Sequence, residues 1–387
     1  MRIDKTLYIF TLLLLLVFLT GCWDRKEIEE VGIVLGIGLD QSEGNDNNQQ
    51  SISMLHQFAI PKQFAANATG TSQKDYINLV TEGSPVLKNI HELATRADRF
   101  PSYEHLRIIV ISQALARDVD LKRITNFVLR NTDTRRSIRV VIDKGNAKDI
   151  FEKRGISSNP SLLLRALSDN YKTSLTMPSE SKLGDISEKL TEKASFIVPG
   201  VETTDEGAKS AGGAVIKGSL AKVVGWLDEE EVAGLNLLKG EKRQKGIIEG
   251  TDPKSGEAIV YEIRTIKSQI KPYFKGKRIS FEVKINTVGK LREDWVDPGN
   301  AFKSEFIKRA EQAAEASIKE AASKTLTKMQ KSLKVDVAGF GTKVRIENPR
   351  IWHKLKEDWD EGFSEMPVEV KVDVNIQDFG TKGAKKG

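Results

Sequence analysis

Cysteine is almost absent: the chain has one, Cys22, in 387 residues. A single thiol excludes an internal disulfide framework. Histidine is nearly as scarce. His56, His91, His105 and His353 are the only four, and none has another His or Cys two to four residues away, which argues against a zinc site. Aromatic residues make up 7%, and no basic block interleaves with them, so the footprint of a nucleic-acid binder is missing. After residue 19 no apolar run approaches the roughly 20 residues of a membrane-spanning helix.

Chemistry-bearing motifs are also short of parts. Gly36-Ile37-Gly38 opens like a dinucleotide loop, but the third glycine position is Gln41 and no helical pattern follows. These glycines are better suited to close packing or a bulge. Ser168-Asp169-Asn170 and Ser179-x-x-Lys182 resemble two motifs of penicillin-binding enzymes. Their order is reversed, Lys-Thr-Gly is absent, and Ser-x-x-Lys recurs at Ser219–Lys222 and Ser268–Lys271. No catalytic residue, metal site or cofactor is expected, and the chain reads as a non-enzyme.

What is present begins at the N-terminus. Arg2 and Lys5 precede an apolar run from Leu7 to Leu19, followed at once by Thr20-Gly21-Cys22. This is the layout of a secretory signal. Leu19-Thr20-Gly21-Cys22 looks like a bacterial lipobox, in which small residues precede a thiol that receives lipid. Cleavage before Cys22 would leave 366 residues, and lipid on Cys22 would use up a thiol that is otherwise open to oxidation outside the cell. Net charge is +6, or +5 once Arg2, Asp4 and Lys5 are removed, which suits residence beside anionic lipid heads.

The body reads as a mixed chain. Val31 to Leu39 and Ser51 to Ile60 form a hairpin pattern. Ser84-Pro85 signals a helix start. From there to Phe151 helix and strand alternate, with His105 to Ile111 and Ser137 to Ile142 as strands and Ala147 to Phe151 as a short helix. Asn159 to Lys193 reads as helical segments broken at Met177-Pro178 and Gly184. Ser195 to Gly200 reads as a boundary and Thr203 to Gly213 as a linker or long loop. A short helix is bounded by the cap Asp228 and the stop Gly240.

The last third is the clearest. Ile279, Phe281, Val283 and Ile285 alternate with polar residues, as do Val368, Val370, Val372, Val374 and Ile376, the mark of an antiparallel sheet with one wet face. Between them a long helix starting near Pro298 carries an apolar stripe from Phe302 through Phe306, Ala310, Ala314 and Ile318 to Leu333. The expected fold class is thus α+β or mixed α/β, multi-domain, with a C-terminal antiparallel sheet packed on one long helix. The divisions read from the chain are a signal peptide at 1–21, an N-terminal α/β domain at 22–200, a middle β-rich domain at 201–270 and a C-terminal α+β domain at 271–387. Trp352, Trp359 and Phe363 fall close together; they either cover the last domain's core or form a partner-binding patch, rimmed by Glu357, Asp358, Asp360 and Glu361.

At Gly21-Cys22-Trp23-Asp24-Arg25-Lys26-Glu27-Ile28 the sequence resembles the Ger(x)C family, the lipoprotein C subunits of germinant receptors in spore-forming Gram-positive bacteria. The likeness continues in order through His105-Leu106, Ala114-Leu115-Ala116-Arg117, Arg130-Asn131-x-Asp133-x-Arg135, Gly212-Gly213-Ala214-Val215, Val224-Gly225-Trp226-Leu227 and Val335-Asp336-Val337-Ala338-Gly339-Phe340-Gly341, then Pro349 and Trp352 to Phe363. The resemblance implies palmitate-type lipid at Cys22 and residence on the outer face of the spore inner (cell) membrane. It implies nutrient-triggered germination in company with a membrane-embedded A subunit and a permease-like B subunit. It carries no catalytic residues and leaves open whether this subunit binds the small-molecule germinant itself. A solute-binding lipoprotein of a transporter is the alternative, but it needs two hinged lobes with parallel sheets.

Overall fold

The computed structural model describes residues 31–42, 51–60, 75–153, 159–240, 245–276, 278–297 and 299–380. Its first half is built on a nine-stranded mixed sheet. β1 (Val31–Gln41) and β2 (Ile52–Ala59) form the expected hairpin, and β3 (Tyr76–Gly83), not foreseen, extends it at the edge. The short β4 (Phe100–Ser102) runs parallel to the start of β1. β5 (Ile108–Ser112), β6 (Arg139–Asp143) and β7 (Phe196–Thr204) continue parallel to β1, and β8 (Gly207–Lys217) and β9 (Lys222–Leu227) return antiparallel.

All five residues of β5 and of β6 are buried, because helices cover both faces, as parallel strands require. Ile109, Ile111, Val140 and Ile142 pack with α1 (Val86–Leu93), α2 (Gln113–Asp118), α3 (Leu121–Arg130) and α6 (Leu183–Thr191). Ile108, Val110 and Val141 face α4 (Ala147–Glu152) and α5 (Pro160–Leu167). The glycines of β1 permit the second contact. A Cβ on Gly36 would lie 2.2 Å from Ser161 Oγ and 2.7 Å from the Phe151 ring, and the β1–β2 register shifts between Val34 and Gly36.

Three sequence expectations change here. Phe196 to Gly200 opens β7, with Ser195 just ahead of it, rather than forming a boundary; Pro199 is tolerated because the β7–β8 register shifts between Pro199 and Val201, and a bulge spares the missing N–H. Residues 203–213 are the β7–β8 hairpin, not a linker. Gly184 sits inside α6 instead of breaking it, where a Cβ would come within 3.1 Å of Arg136.

The second half holds a four-stranded sheet in the order β10-β11-β12-β13. Its strands are β10 (Gly246–Thr251), β11 (Ala258–Lys275), β12 (Arg278–Asp294) and β13 (Val368–Asp378). The expected middle domain is therefore divided: β8 and β9 complete the first sheet, while β10 and β11 open the second. The second sheet is antiparallel up to β12, but β13 runs parallel to β12. The long α8 (Ser304–Thr327), continued by a π-helical turn at Lys328–Leu333, carries the chain back along the sheet, so β13 starts from the same end as β12. The stripe holds from Phe306 to Met329; Phe302 precedes the helix and is 67% exposed.

α7 (Glu229–Lys239) joins the halves. Asp228 and Glu231 form a reciprocal capping box at its start, and Gly240 ends it in the left-handed conformation. It is buried on nearly every face. One core runs through it, from Leu175, Ile197, Val215 and Leu227 of the first half into the second sheet and α8. Asn236 Nδ2 donates to the carbonyls of Leu175 and Met177 at 2.7 and 2.9 Å. Against α8, Thr325 Oγ1 donates to the Glu231 carbonyl at 2.9 Å, and a Cβ on Gly234 would stand 2.3 Å from the Ala321 carbonyl oxygen. Gly234→Ala forces the two helices apart. The expected cost is about 2–3 kcal/mol, the scale of overpacking, read as a lower midpoint in urea unfolding; an unchanged midpoint would show that α7 and α8 yield freely.

Candidate functional site

The lipobox cysteine Cys22 and the segment Trp23 to Ile28 lie outside the described residues. The chain enters the fold at Val31, the first residue of β1. Among the described residues no helix is long and apolar enough to cross a membrane.

Trp352, Trp359 and Phe363 do meet in space, but not as an exposed patch. Phe363 is fully buried and Trp359 is 7% exposed; only Trp352, in α10 (Pro349–Leu355), keeps an accessible edge. Trp359 and Phe363 lie in α11 (Trp359–Phe363) and stack at 6.3 Å between centroids. Phe340 meets Phe363 at 5.0 Å and Phe281 of β12 at 4.9 Å, and Trp352 meets Trp359 at 5.3 Å. The aromatics thus close the core at one end of the second sheet, the packing alternative of the two read from sequence.

The organising residue of this cluster is Asp336. Its Oδ1 accepts from the backbone N–H groups of Ala338, Gly339 and Phe340 at 3.1, 2.8 and 3.1 Å. Its Oδ2 accepts from the Gly341 N–H at 2.7 Å and from Trp359 Nε1 at 2.9 Å. Four of these donors belong to the turn and first residues of α9 (Phe340–Glu347), groups that a helix start leaves without partners. Burial pushes the Asp336 carboxyl above the usual carboxylate range, and the donors oppose that shift. Gly341 has to be glycine: a Cβ would stand 2.7 Å from Trp359 Nε1 and 2.9 Å from the Trp352 ring. The cradle is tied to the first half. Asp360 Oδ1 accepts from the Asp336 N–H at 2.9 Å, while its Oδ2 accepts from Ser195 Oγ at 2.8 Å. In the sequence Asp336 stands out only as part of the Val335–Gly341 motif; an Asp a few residues ahead of a helix that begins Gly-Phe-Gly is the available signal.

A second polar cluster sits at the C-terminal ends of the parallel strands, where open α/β sheets place ligands. Asp40, at the end of β1, accepts from the N–H groups of Ala147 and Lys148 at 2.7 and 2.9 Å and so caps α4. Asp143 ends β6 and is fully buried; its Oδ1 accepts from the Gly145 N–H at 2.9 Å and its Oδ2 has no hydrogen-bond partner. Burial first, then the nearby carboxylates of Asp40, Asp149 and Glu202, push Asp143 up to about 6. Among the described residues no group of three or more His, Cys, Asp and Glu side chains is placed to hold a metal ion.

The other candidates have structural partners. His56 is buried, bonded through Nε2 to the Tyr103 hydroxyl at 3.1 Å, and burial lowers it to about 3, so it is neutral. His105 and His353 are exposed. Ser168 donates to the Leu164 carbonyl, and Asp169 pairs with the buried Arg139, which also pairs with Glu180. Of the Ser-Asp-Asn residues, Asp169 thus ties β6 to its neighbours, while the Ser168 bond stays within its own helix.

Comparison with known proteins agrees along the full length. Residues 24–203 match the model of the spore germination protein N-terminal domain, and residues 211–380 match that of the spore germination B3/GerAC-like C-terminal region. Spore germination protein YndF of Bacillus subtilis (strain 168) is 32% identical over 95% of each chain, and spore germination protein A3 of the same organism is 32% identical over 98% of each. Spore germination protein B3 is 27% identical over 95% of this chain and 96% of its own. The crystal structure of the GerBC protein superposes with a TM-score of 0.61 at 23% identity, over 92% of this chain and 100% of that one, so the fold is shared. With two domain models in series and relatives matched end to end, this chain belongs to the Ger(x)C family of spore germination proteins.

Proposed function

We propose that this chain is the lipid-anchored, non-enzymatic C subunit of a nutrient germinant receptor. Lipid on Cys22 holds it on the outer face of the spore inner membrane, where it assembles with membrane-embedded A and B subunits and is required for germination in response to nutrients. One observation carries the reading: end-to-end similarity to spore germination protein A3, in a chain whose first 22 residues have the layout of a lipoprotein signal. Two acyl chains hold a protein durably on a bilayer where one does not. Confinement to the membrane plane raises the effective concentration of a subunit for its partners.

The test is Cys22→Ala. The variant is expected to leave the membrane fraction of spores, and nutrient-triggered germination to fall by roughly tenfold or more as the tether's contribution to assembly is lost. An affinity pull-down from spore membranes is expected to recover the A and B subunits with the wild-type chain and to lose them with the variant. A fully soluble variant with an unchanged nutrient response would refute the anchoring role.

A further inference from the structure

The parallel strands of the first sheet all start at one end, and the tether arrives there. The Arg107 N–H donates to the Leu35 carbonyl at 2.9 Å and the Arg139 N–H to the Arg107 carbonyl at 3.1 Å, so β5 and β6 start beside the middle of β1, and β4 lies beside its first residues. At this end an apolar groove of about 240 Å³ opens, lined by Val31, Phe58, Ile60, Ile77 and Leu79, with Arg99 at its rim. Next to it Phe100, in the strand paired with Val31–Ile33, is 75% exposed, and Ile77 is 51% exposed. The same end carries exposed Arg107 and, ahead of β6, exposed Arg130, Arg135 and Arg136, interspersed with Asp98, Glu104 and Asp133.

Eight residues lie between Cys22 and Val31, nine Cα-to-Cα steps with a reach of no more than about 30 Å even when fully extended. An apolar surface with an exposed aromatic ring suits the boundary between headgroups and acyl chains. Arginine forks match lipid phosphates. We infer that this strand-start end of the first sheet docks on an anionic membrane surface, with Phe100 and Ile77 at the headgroup–acyl boundary and the arginines over the phosphates. The opposite end, with Asp40, Asp143 and α4, then faces away from the bilayer. The inference rests on the anchored-subunit reading and adds an orientation to it.

Site-specific labelling tests it. Asp98 and Lys148 are exposed at the two opposite ends. Each is replaced in turn by cysteine and labelled with nitrobenzoxadiazole, in two preparations. One is the native lipidated chain in vesicles of phosphatidylglycerol and phosphatidylcholine. The other has residues 1–22 replaced by a decahistidine tag and is held on the same vesicles by a nickel-chelating lipid. Quenching by doxyl-labelled lipid is expected to be at least several-fold stronger at 98 than at 148 in both. It should weaken on pure phosphatidylcholine, and fall to the level at 148 when Phe100→Asp is added. Equal quenching at the two positions on the nickel-held chain overturns the inference, as does contact at 98 that arises only when other receptor subunits are added. Strong quenching at 98 on the nickel-held chain, together with an unlipidated native chain, would instead remove the anchor reading and leave the docking surface standing.

Discussion

Asp336→Ala is expected to abolish cooperative folding of the C-terminal half. The carboxylate accepts five hydrogen bonds in a buried site. Alanine leaves all five donors without acceptors, and each stranded buried donor costs about 1–3 kcal/mol. Water can enter to relieve some of them, so a net loss on the order of 5 kcal/mol is expected, comparable to the whole stability of a domain. The damage spreads because the cradle holds the start of α9 against Trp359 and, through Asp360, reaches Ser195 of the first half. Urea unfolding followed by tryptophan fluorescence reads the change, and limited proteolysis within 211–380 locates it. Trp359→Phe removes a single donor and part of a buried ring and should cost about 2–3 kcal/mol, clearly less than Asp336→Ala. An Asp336→Ala protein within about 1 kcal/mol of wild type would show that the carboxylate is not what holds the turn.

Asp143→Asn is expected to stabilise the protein at neutral pH and to do nothing at pH 4. The carboxyl of Asp143 is pushed up to about 6 from an ordinary 3.8. Between those values the folded chain binds more protons than the unfolded chain, so stability falls as pH rises through 6. Above pH 6 the ionised side chain carries a constant penalty of about 3 kcal/mol. Asparagine is neutral throughout and its Oδ1 can still accept from the Gly145 N–H. Unfolding midpoints at pH 7.5 and pH 4 separate the two regimes. A variant less stable than wild type at pH 7.5 would mean that the charge of Asp143 has a favourable partner, against the isolation of its Oδ2.

Local structure was largely written in the sequence. The helix framed by Asp228 and Gly240 forms with both caps in place, because capping depends on residues only a few positions apart. The alternation of Val368 to Ile376 fixed a half-buried strand, and the stripe on α8 fixed a helix with one buried face. Gly36 and Gly38 were legible as close-packing positions, although not that Ser161 and Phe151 are the atoms packed against them. The helix start at Ser84-Pro85 was legible to within one residue: the helix begins at Val86, with Pro85 rather than Ser84 at the N-cap.

Long-range pairing was not legible. Residues 203–213 are small and polar and carry no strand signal of their own; backbone partners in β7 make them a hairpin and place them in the first sheet. The direction of β13 was hidden as well, since alternation is identical in parallel and antiparallel strands. Trp359 and Phe363 carry no sequence mark that separates core from surface; their burial follows from Phe281 and Phe340 arriving from other elements. Asp143 and Asp336 are both single acids on short polar-apolar segments, and what distinguishes them is the surrounding fold. One is left with an unpartnered oxygen and the other is given five donors. The sequence by itself determined the periodic elements and their caps, because these depend on neighbours along the chain. The tertiary structure alone decided sheet membership, strand direction and the state of each buried acid, because these depend on residues brought together from far apart.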